Sequence, residues 1–269
     1  MNVSSYALFG DNPFYWKPAM ALVRAHHTLF PGWELRIHHD SHMDQAIGQL
    51  WRAYSRHQLA TLVPCTTGPL CENMLWRLKP LWDPAVELTM CRDIDTLLTP
   101  KDRRMMDQFI ASKAAFHLVN DSPSHNIPIL GGMLAINGPI FHQKFNYPGL
   151  QSWENMITTF KADIGVELSW RGSDQFLLNY LLWDLAQQSL CEHRLQGYRP
   201  LEDAVASYTT VPNTPINANI KPELLAVADS LVPHLGSSGY DIDRAVDVYD
   251  RLGDTDVIQA IHRAEATVG

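Results

Sequence analysis

Two carboxylates one residue apart close an apolar run in Leu88-Thr89-Met90-Cys91-Arg92-Asp93-Ile94-Asp95-Thr96. The run reads as a buried strand, and in an extended segment residues i and i+2 point the same way. Asp93 and Asp95 are therefore expected to converge on one point beyond the sheet. Such a pair suits a hard cation, Mg2+ or Mn2+, that takes its other ligands from water and phosphate oxygens. The cation would stabilise charge on a phosphate group. A second chemistry uses the same residue types: Asp93 as nucleophile toward phosphate and Asp95 as general acid/base.

These carboxylates need a rigid support, and the flanking sequence supplies one. Thr99-Pro100-Lys101-Asp102 is a helix start in which Thr99 caps, Pro100 fits the first turn and Asp102 answers the cap. Met105, Met106, Phe109 and Ile110 then make one apolar face. Strand-like runs are expected over 3–9, 33–38, 60–63, 86–91, 115–119 and 129–136, the last around Gly131-Gly132. Helical patterns fall over 17–29, 43–57, 69–81, 153–164 and 173–188. Alternation of this kind implies βαβ units and a mostly parallel sheet, which binds ligands beyond the C-terminal ends of its strands. Beyond about residue 200 the chain is rich in Pro, Asn and Ser, with helices expected only over 245–252 and 257–266.

Composition narrows the function classes. The chain has 269 residues, 46% hydrophobic and 19% charged, enough for a sizeable core without staples. Lys plus Arg total 21 against 29 Asp plus Glu, a formal charge of −8, which argues against a wide phosphate-gripping surface. Lys101 and Arg103-Arg104 still allow a local basic patch. Cys65, Cys71, Cys91 and Cys191 form no CxxC and read as reduced, mostly buried thiols of an intracellular protein. No stretch approaches the roughly 18 to 20 apolar residues of a membrane span. No basic segment followed by an apolar run opens the chain, so a secretory signal is not expected.

An ordered set of short segments resembles metal-dependent nucleotide-sugar glycosyltransferases of the GT-A fold, specifically a virus- and microbe-associated group with an R-D-x-D-S/T core. The segments are Tyr6-Ala7-Leu8-Phe9-Gly10, Pro31-Gly32-Trp33 through Asp40, Leu75-Trp76-Arg77-Leu78-Lys79-Pro80, and Cys91-Arg92-Asp93-Ile94-Asp95-Thr96. His117 through Asp121, Pro123, His125, Ile129-Leu130-Gly131-Gly132-Met133 and Gly172-Ser173-Asp174-Gln175-Phe176-Leu177 continue the series, which spans residues 3 to about 185. Asp93-Ile94-Asp95-Thr96-Leu97 also resembles the first motif of haloacid-dehalogenase-type phosphatases, and Gly253-Asp254-Thr255-Asp256 imitates their late acidic motif. That first motif normally sits on the first strand of its domain, whereas here about 85 residues of βα pattern precede it.

The resemblance implies a single α/β domain over 1–269, Rossmann-like, with a central mostly parallel sheet flanked by helices and an irregular C-terminal portion. Residues 1 to about 140 would bind nucleotide sugar and metal, and about 141–269 would form the acceptor side. Asp93 and Asp95 would hold Mn2+ or Mg2+, Asp95 as the surer direct ligand. His234, in His234-Leu235-Gly236, would add a late metal or phosphate contact. The loop of Phe9, Gly10 and Asp11 would lie near the nucleoside. Arg77 would face the donor phosphates or brace Asp93, and Arg92 would act beside Asp93. Gly131 and Gly132 would admit the donor sugar against the backbone. Asp174 and Gln175 resemble a D-Q element that contacts donor sugar and acceptor in retaining enzymes, so retention is the expected outcome. The donor would be a UDP-sugar rather than a GDP-sugar. The acceptor class is open among glycan, protein, lipid-linked sugar and modified nucleobase. The expected location is the cytoplasm, including that of a virus-infected cell. The competing readings are the phosphatase, with Asp93 as nucleophile, and a nucleotide-sugar binder without turnover.

Several of these residues also have purely structural readings. Arg92 can be a charge partner, Gly131-Gly132 a tight turn, and Asp174 a favourable charge at a helix N-terminus. His117, Asp121 and His125 could cluster near the sugar, or Asp121 could start a turn before Pro123. His38, His39 and His42 around Asp40 are expected to make local hydrogen bonds rather than bind metal. Trp76, Trp82, Trp170 and Trp183 are expected in the core rather than as sugar platforms.

Overall fold

The computed structural model describes residues 1–10, 15, 22, 25–42, 55–56, 58–96, 98–121, 127–146, 149–164 and 172–194. The expected helix over 43–57 lies largely outside this set, as does that over 17–29, of which 25–29 are helical. The expected helices over 245–252 and 257–266 lie wholly outside it, as do Asp11, His125, Trp170 and His234.

Seven strands form one sheet: β1 (Asn2–Leu8), β2 (Glu34–His39), β3 (Thr61–Pro64), β4 (Leu88–Arg92), β5 (Phe116–Asn120), β6 (Met133–Asn137) and β7 (Leu190–Arg194). Their order is β3-β2-β1-β4-β6-β5-β7. β6 alone runs antiparallel to its neighbours β4 and β5; the other four pairings are parallel. β4 and β5 are buried at every position, as expected of central strands covered on both faces. The fold is thus an α/β domain with a mostly parallel sheet flanked by helices.

Side-chain alternation assigns the two faces. Phe116 and Leu118 of β5 join one core cluster with Cys91, Leu134 and Ile136. Helices α1 (Leu70–Leu75), α3 (Gly138–Phe145), α4 (Leu150–Ile164) and α5 (Ser173–Ala186) cover that face. α4 contributes Trp153, Ile157 and Phe160, at helical spacing, and α5 contributes Leu177, Leu178 and Leu182. His117 and Val119 turn to the other face, where α2 (Pro100–Ser112) packs Met105 against Val119 and Phe109 against the His117 ring at 5.2 Å.

α2 begins with the expected capping box, Thr99 and Asp102 exchanging hydrogen bonds with each other's backbone. It ends where Lys113 takes a left-handed conformation (φ 56°). The expected helix over 69–81 divides: α1 gives way at Trp76 to a 3-10 helix over Trp76–Trp82. Pro80 lies inside that segment, has no N–H to donate and crowds the carbonyl four residues before it, so the chain tightens instead of continuing as α. The expected strand over 129–136 starts only at Met133, because Gly131-Gly132 form a turn before it. Two elements lack any counterpart in the sequence reading. α3 is capped by the Asn137 side chain accepting the Ile140 N–H at 3.1 Å, and β7 extends the sheet edge beside β5.

Candidate active site

Strand order reverses direction between β1 and β4: β2 and β3 lie beyond β1 on one side, and β6, β5 and β7 beyond β4 on the other. Such a switch point leaves a crevice at the carboxyl ends of the two strands. Phe9-Gly10 follow β1 and Asp93 follows β4, so both expected site segments flank it.

Asp93 does not stand on an extended segment. β4 ends at Arg92, and Asp93 to Thr96 make a turn closed by the Thr96 N–H donating to the Asp93 carbonyl at 3.1 Å. Asp93 and Asp95 therefore occupy alternate corners of a β-turn, which corrects the extended-strand geometry expected above. Both are half-buried, and the Asp93 side chain is 41% exposed.

Beneath Asp93 lies a buried cation. Arg77, from the 3-10 helix, is 3% exposed and donates from Nη1 to Asp93 Oδ1 and from Nη2 to Asp174 Oδ2 at 2.7 Å. Burial works against the guanidinium charge, yet the two carboxylates raise its pKa above the ordinary value. For Asp174 burial dominates and raises the carboxyl pKa, with Arg77 pulling the other way. Both glycines before β6 serve this cluster. A Cβ on Gly131 would collide with Arg77 Nη2 and lie 2.6 Å from Asp174 Oδ2; one on Gly132 would collide with the Asp93 carboxylate. Neither glycine has a positive φ, so it is space rather than backbone conformation that demands glycine here.

The loop after β1 is held differently. Gly10 has φ +77°, with nothing within 4 Å of a would-be Cβ. Its N–H donates to Asp40 Oδ2 at 3.0 Å. Asp40, 2% exposed at the end of β2, also accepts the His42 N–H at 3.1 Å and the Thr67 hydroxyl at 3.5 Å. One carboxylate thus ties together the segments that follow β1, β2 and β3. On the sequence Asp40 closes a resemblance segment and centres a histidine group; Gly10 thirty positions earlier gives no local signal of the bond. Phe9 packs edge-on against Trp76, ring centroids 5.8 Å apart.

Other expected site residues are placed elsewhere. Arg92 is fully buried on the α2 face, where Nε donates to Asp102 Oδ1 at 3.3 Å and Nη1 to the Cys91 carbonyl at 2.9 Å. It anchors the capping box and takes no part in the Arg77 group. Gln175 is half-buried at the start of α5, beside Asp174. His117 is buried and pairs with His193 at 2.8 Å, while Asp121 pairs with Lys101 at 3.0 Å; the structure gives them separate partners. His39 bonds the Asp40 carbonyl at 2.9 Å, a local role as expected.

The donor chemistry fits a hard divalent cation. Among the described residues no group of three His, Cys, Asp or Glu forms a ready cage. A Mg2+ or Mn2+ that keeps waters and takes phosphate oxygens needs only one or two carboxylates. The turn offers two, and Asp93 opens toward solvent although its partner Arg77, and Asp174 behind Arg77, are buried.

No protein-family description matches the sequence, and no curated protein does. Structural comparison finds residues 1–349 of TarS from S. aureus in complex with UDP: 14% identity, TM-score 0.46, covering 99% of this chain and 83% of that one. It also finds the mannosyltransferase PcManGT from Pyrobaculum calidifontis in complex with GDP-Man and Mn2+: 10% identity, TM-score 0.45, covering 98% and 74%. A 4-diphosphocytidyl-2C-methyl-D-erythritol synthase from Anaerococcus prevotii gives 9% identity and TM-score 0.43, covering 72% and 86%. Among the described residues no helix is long and apolar enough to cross a membrane.

Proposed function

We propose that the protein transfers a sugar from a nucleoside-diphosphate sugar to an acceptor hydroxyl, with a divalent cation bound at the turn after β4. One observation carries this reading. A solvent-facing carboxylate, Asp93, is fixed at the strand switch point by a buried arginine that a second carboxylate, Asp174, holds from behind. A site preorganised in this way would pay little reorganisation when a diphosphate arrives.

Asp95 would be the direct ligand of Mn2+ or Mg2+, and Asp93, with one oxygen committed to Arg77, would complete the pair. The bound metal would neutralise charge on the leaving diphosphate. Phe9 and Gly10, with Asp11, would border the nucleoside, and UDP is the proposed base carrier. Asp174 would work through Arg77 as a positioning residue, which leaves Gln175 as the side chain of the D-Q pair nearer the donor sugar and acceptor. Retention of configuration and a contribution from His234 stay part of the proposal on the motif resemblance alone. A nucleophilic Asp93, as in the phosphatase reading, is disfavoured by the ion pair to Arg77, which draws charge from the attacking oxygens.

The test is incubation with Mn2+ and a panel of UDP- and GDP-sugars, measuring released nucleoside diphosphate. Asp95→Ala is expected to abolish release while leaving the unfolding transition in place. Release by that variant at the wild-type rate refutes the metal role, and aryl-phosphate hydrolysis without any sugar nucleotide would favour the phosphatase.

A further inference from the structure

A cavity of about 260 Å3 lies on the helical face away from α2, between the α1 and 3-10 segment and α4. Trp76, Trp82 and Trp153 line it together with Glu72, Glu154 and Lys79. Trp82 and Trp153 meet at 5.4 Å between centroids with their planes 40° apart, so the two rings form an angled wall. Trp76 and Trp153 are buried and Trp82 is half-buried, as a core role predicts. The carboxylates and ammonium at the same cavity are not what a core requires.

The wall chemistry selects a ligand. The half-buried Trp82 offers an apolar ring face, with the buried Trp76 and Trp153 behind it, and the carboxylates at the cavity edge are strong acceptors for hydroxyl groups. Charges balance: Glu72 pairs with Lys161, which leaves one carboxylate, Glu154, and one ammonium, Lys79, whose Nζ reaches the Cys65 sulfur at 3.7 Å. A balanced rim gives a phosphorylated ligand no net attraction, and suits a neutral molecule with an apolar face and hydroxyl edges. The volume falls just below the roughly 300 Å3 at which drug-sized pockets begin, room for one ring.

We infer that this cavity binds a single uncharged pyranose ring of a glycan. Trp76 connects the cavity to the candidate active site: it meets Phe9 at the tip of β1, and the next residue, Arg77, holds Asp93. That the glycan is the acceptor rests on the transferase reading; the binding of sugar does not.

The experiment uses the full chain without metal or nucleotide. Methyl glucoside, galactose, N-acetylglucosamine and maltose are titrated to millimolar concentration, following tryptophan indole N–H resonances and saturation transfer to the sugar protons. At least one sugar is expected to shift indole signals. Trp82→Ala should weaken that binding at least tenfold and Glu154→Gln, at an exposed position, a few-fold. Trp82→Phe serves where Trp82→Ala does not fold, and should bind more weakly than wild type. Silence from every sugar, or wild-type affinity in the Trp82 and Glu154 variants, overturns the inference. UDP with Mn2+ is titrated on the same samples: its binding without sugar binding sinks the cavity alone, and sugar binding without it sinks the transferase reading alone.

Discussion

Arg77 Nη2 donates to Asp174 Oδ2 at 2.7 Å, joining residues 97 positions apart in a contact buried at both ends. Taking two charges out of water is costly and is offset only when each keeps its partner. Arg77→Ala would strand the Asp174 carboxylate, and a loss of about 3–5 kcal/mol is expected. Urea unfolding measures it. The double change Arg77→Met with Asp174→Leu should cost clearly less than the sum of its parts, and additivity would show that the two side chains do not act as a pair.

Gly10 and Gly132 are expected to resist alanine for different reasons. At Gly10 the space is open but φ is +77°, so Gly10→Ala costs backbone strain of about 1 kcal/mol, and Gly10→Asn less. At Gly132 the Cβ strikes the Asp93 carboxylate; overpacking of this kind costs about 1–3 kcal/mol. Gly132→Ala should also weaken Mn2+-dependent UDP binding, with Asn no better than Ala. Thermal melts and UDP titrations of the four variants distinguish the two causes.

Asp93→Asn and Asp95→Asn separate the two turn carboxylates. Both should lower Mn2+-dependent nucleoside diphosphate release by more than tenfold. Asp93→Asn should lower the unfolding midpoint, since Arg77 would lose a charged partner. An unchanged urea midpoint in Asp93→Asn would contradict the bracing role of Arg77.

Glu192 on β7 is fully buried with neither carboxyl oxygen hydrogen-bonded, and burial pushes its pKa from 4.5 up to about 7. Arg194, at 3.8 Å, pulls weakly the other way. The folded chain therefore binds more protons here than the unfolded chain between pH 4.5 and 7, and this contribution to stability falls as pH rises through that window. Each unit of separation corresponds to about 1.4 kcal/mol. Glu192→Gln should flatten this descent, gaining relative to wild type from pH 4.5 toward pH 7. Urea midpoints across that range decide it, and parallel curves for the two proteins refute the assignment.

His26 and His38 are buried, and loss of hydration lowers both from 6.5 to about 3. A depressed histidine favours the neutral folded form, so its stability contribution is full above pH 6.5 and declines as pH falls toward 3. His26→Gln, which can keep a bond to Ser4 Oγ in place of the present 2.9 Å contact, should be less acid-sensitive than wild type in far-ultraviolet circular dichroism melts between pH 6.5 and 4.

Local chemistry was readable along the chain. The buried runs of β1, β4 and β5, the Thr99–Asp102 cap and the acidic pair at the end of β4 all depend on neighbours within a few residues, where propensity and periodicity act. The bracing of Asp93 by Arg77 was also foreseen as one of two alternatives. What only the tertiary structure decided is longer in range. The strand order brings Asp174 behind Arg77 and Asp40 under Gly10, makes Gly131 and Gly132 necessary for space, and turns Arg92 into the core beside Asp102. No local pattern encodes these, because a buried ion pair or a forbidden Cβ is set by whichever distant segment the sheet packs alongside, and that choice is made by the summed burial of the whole domain.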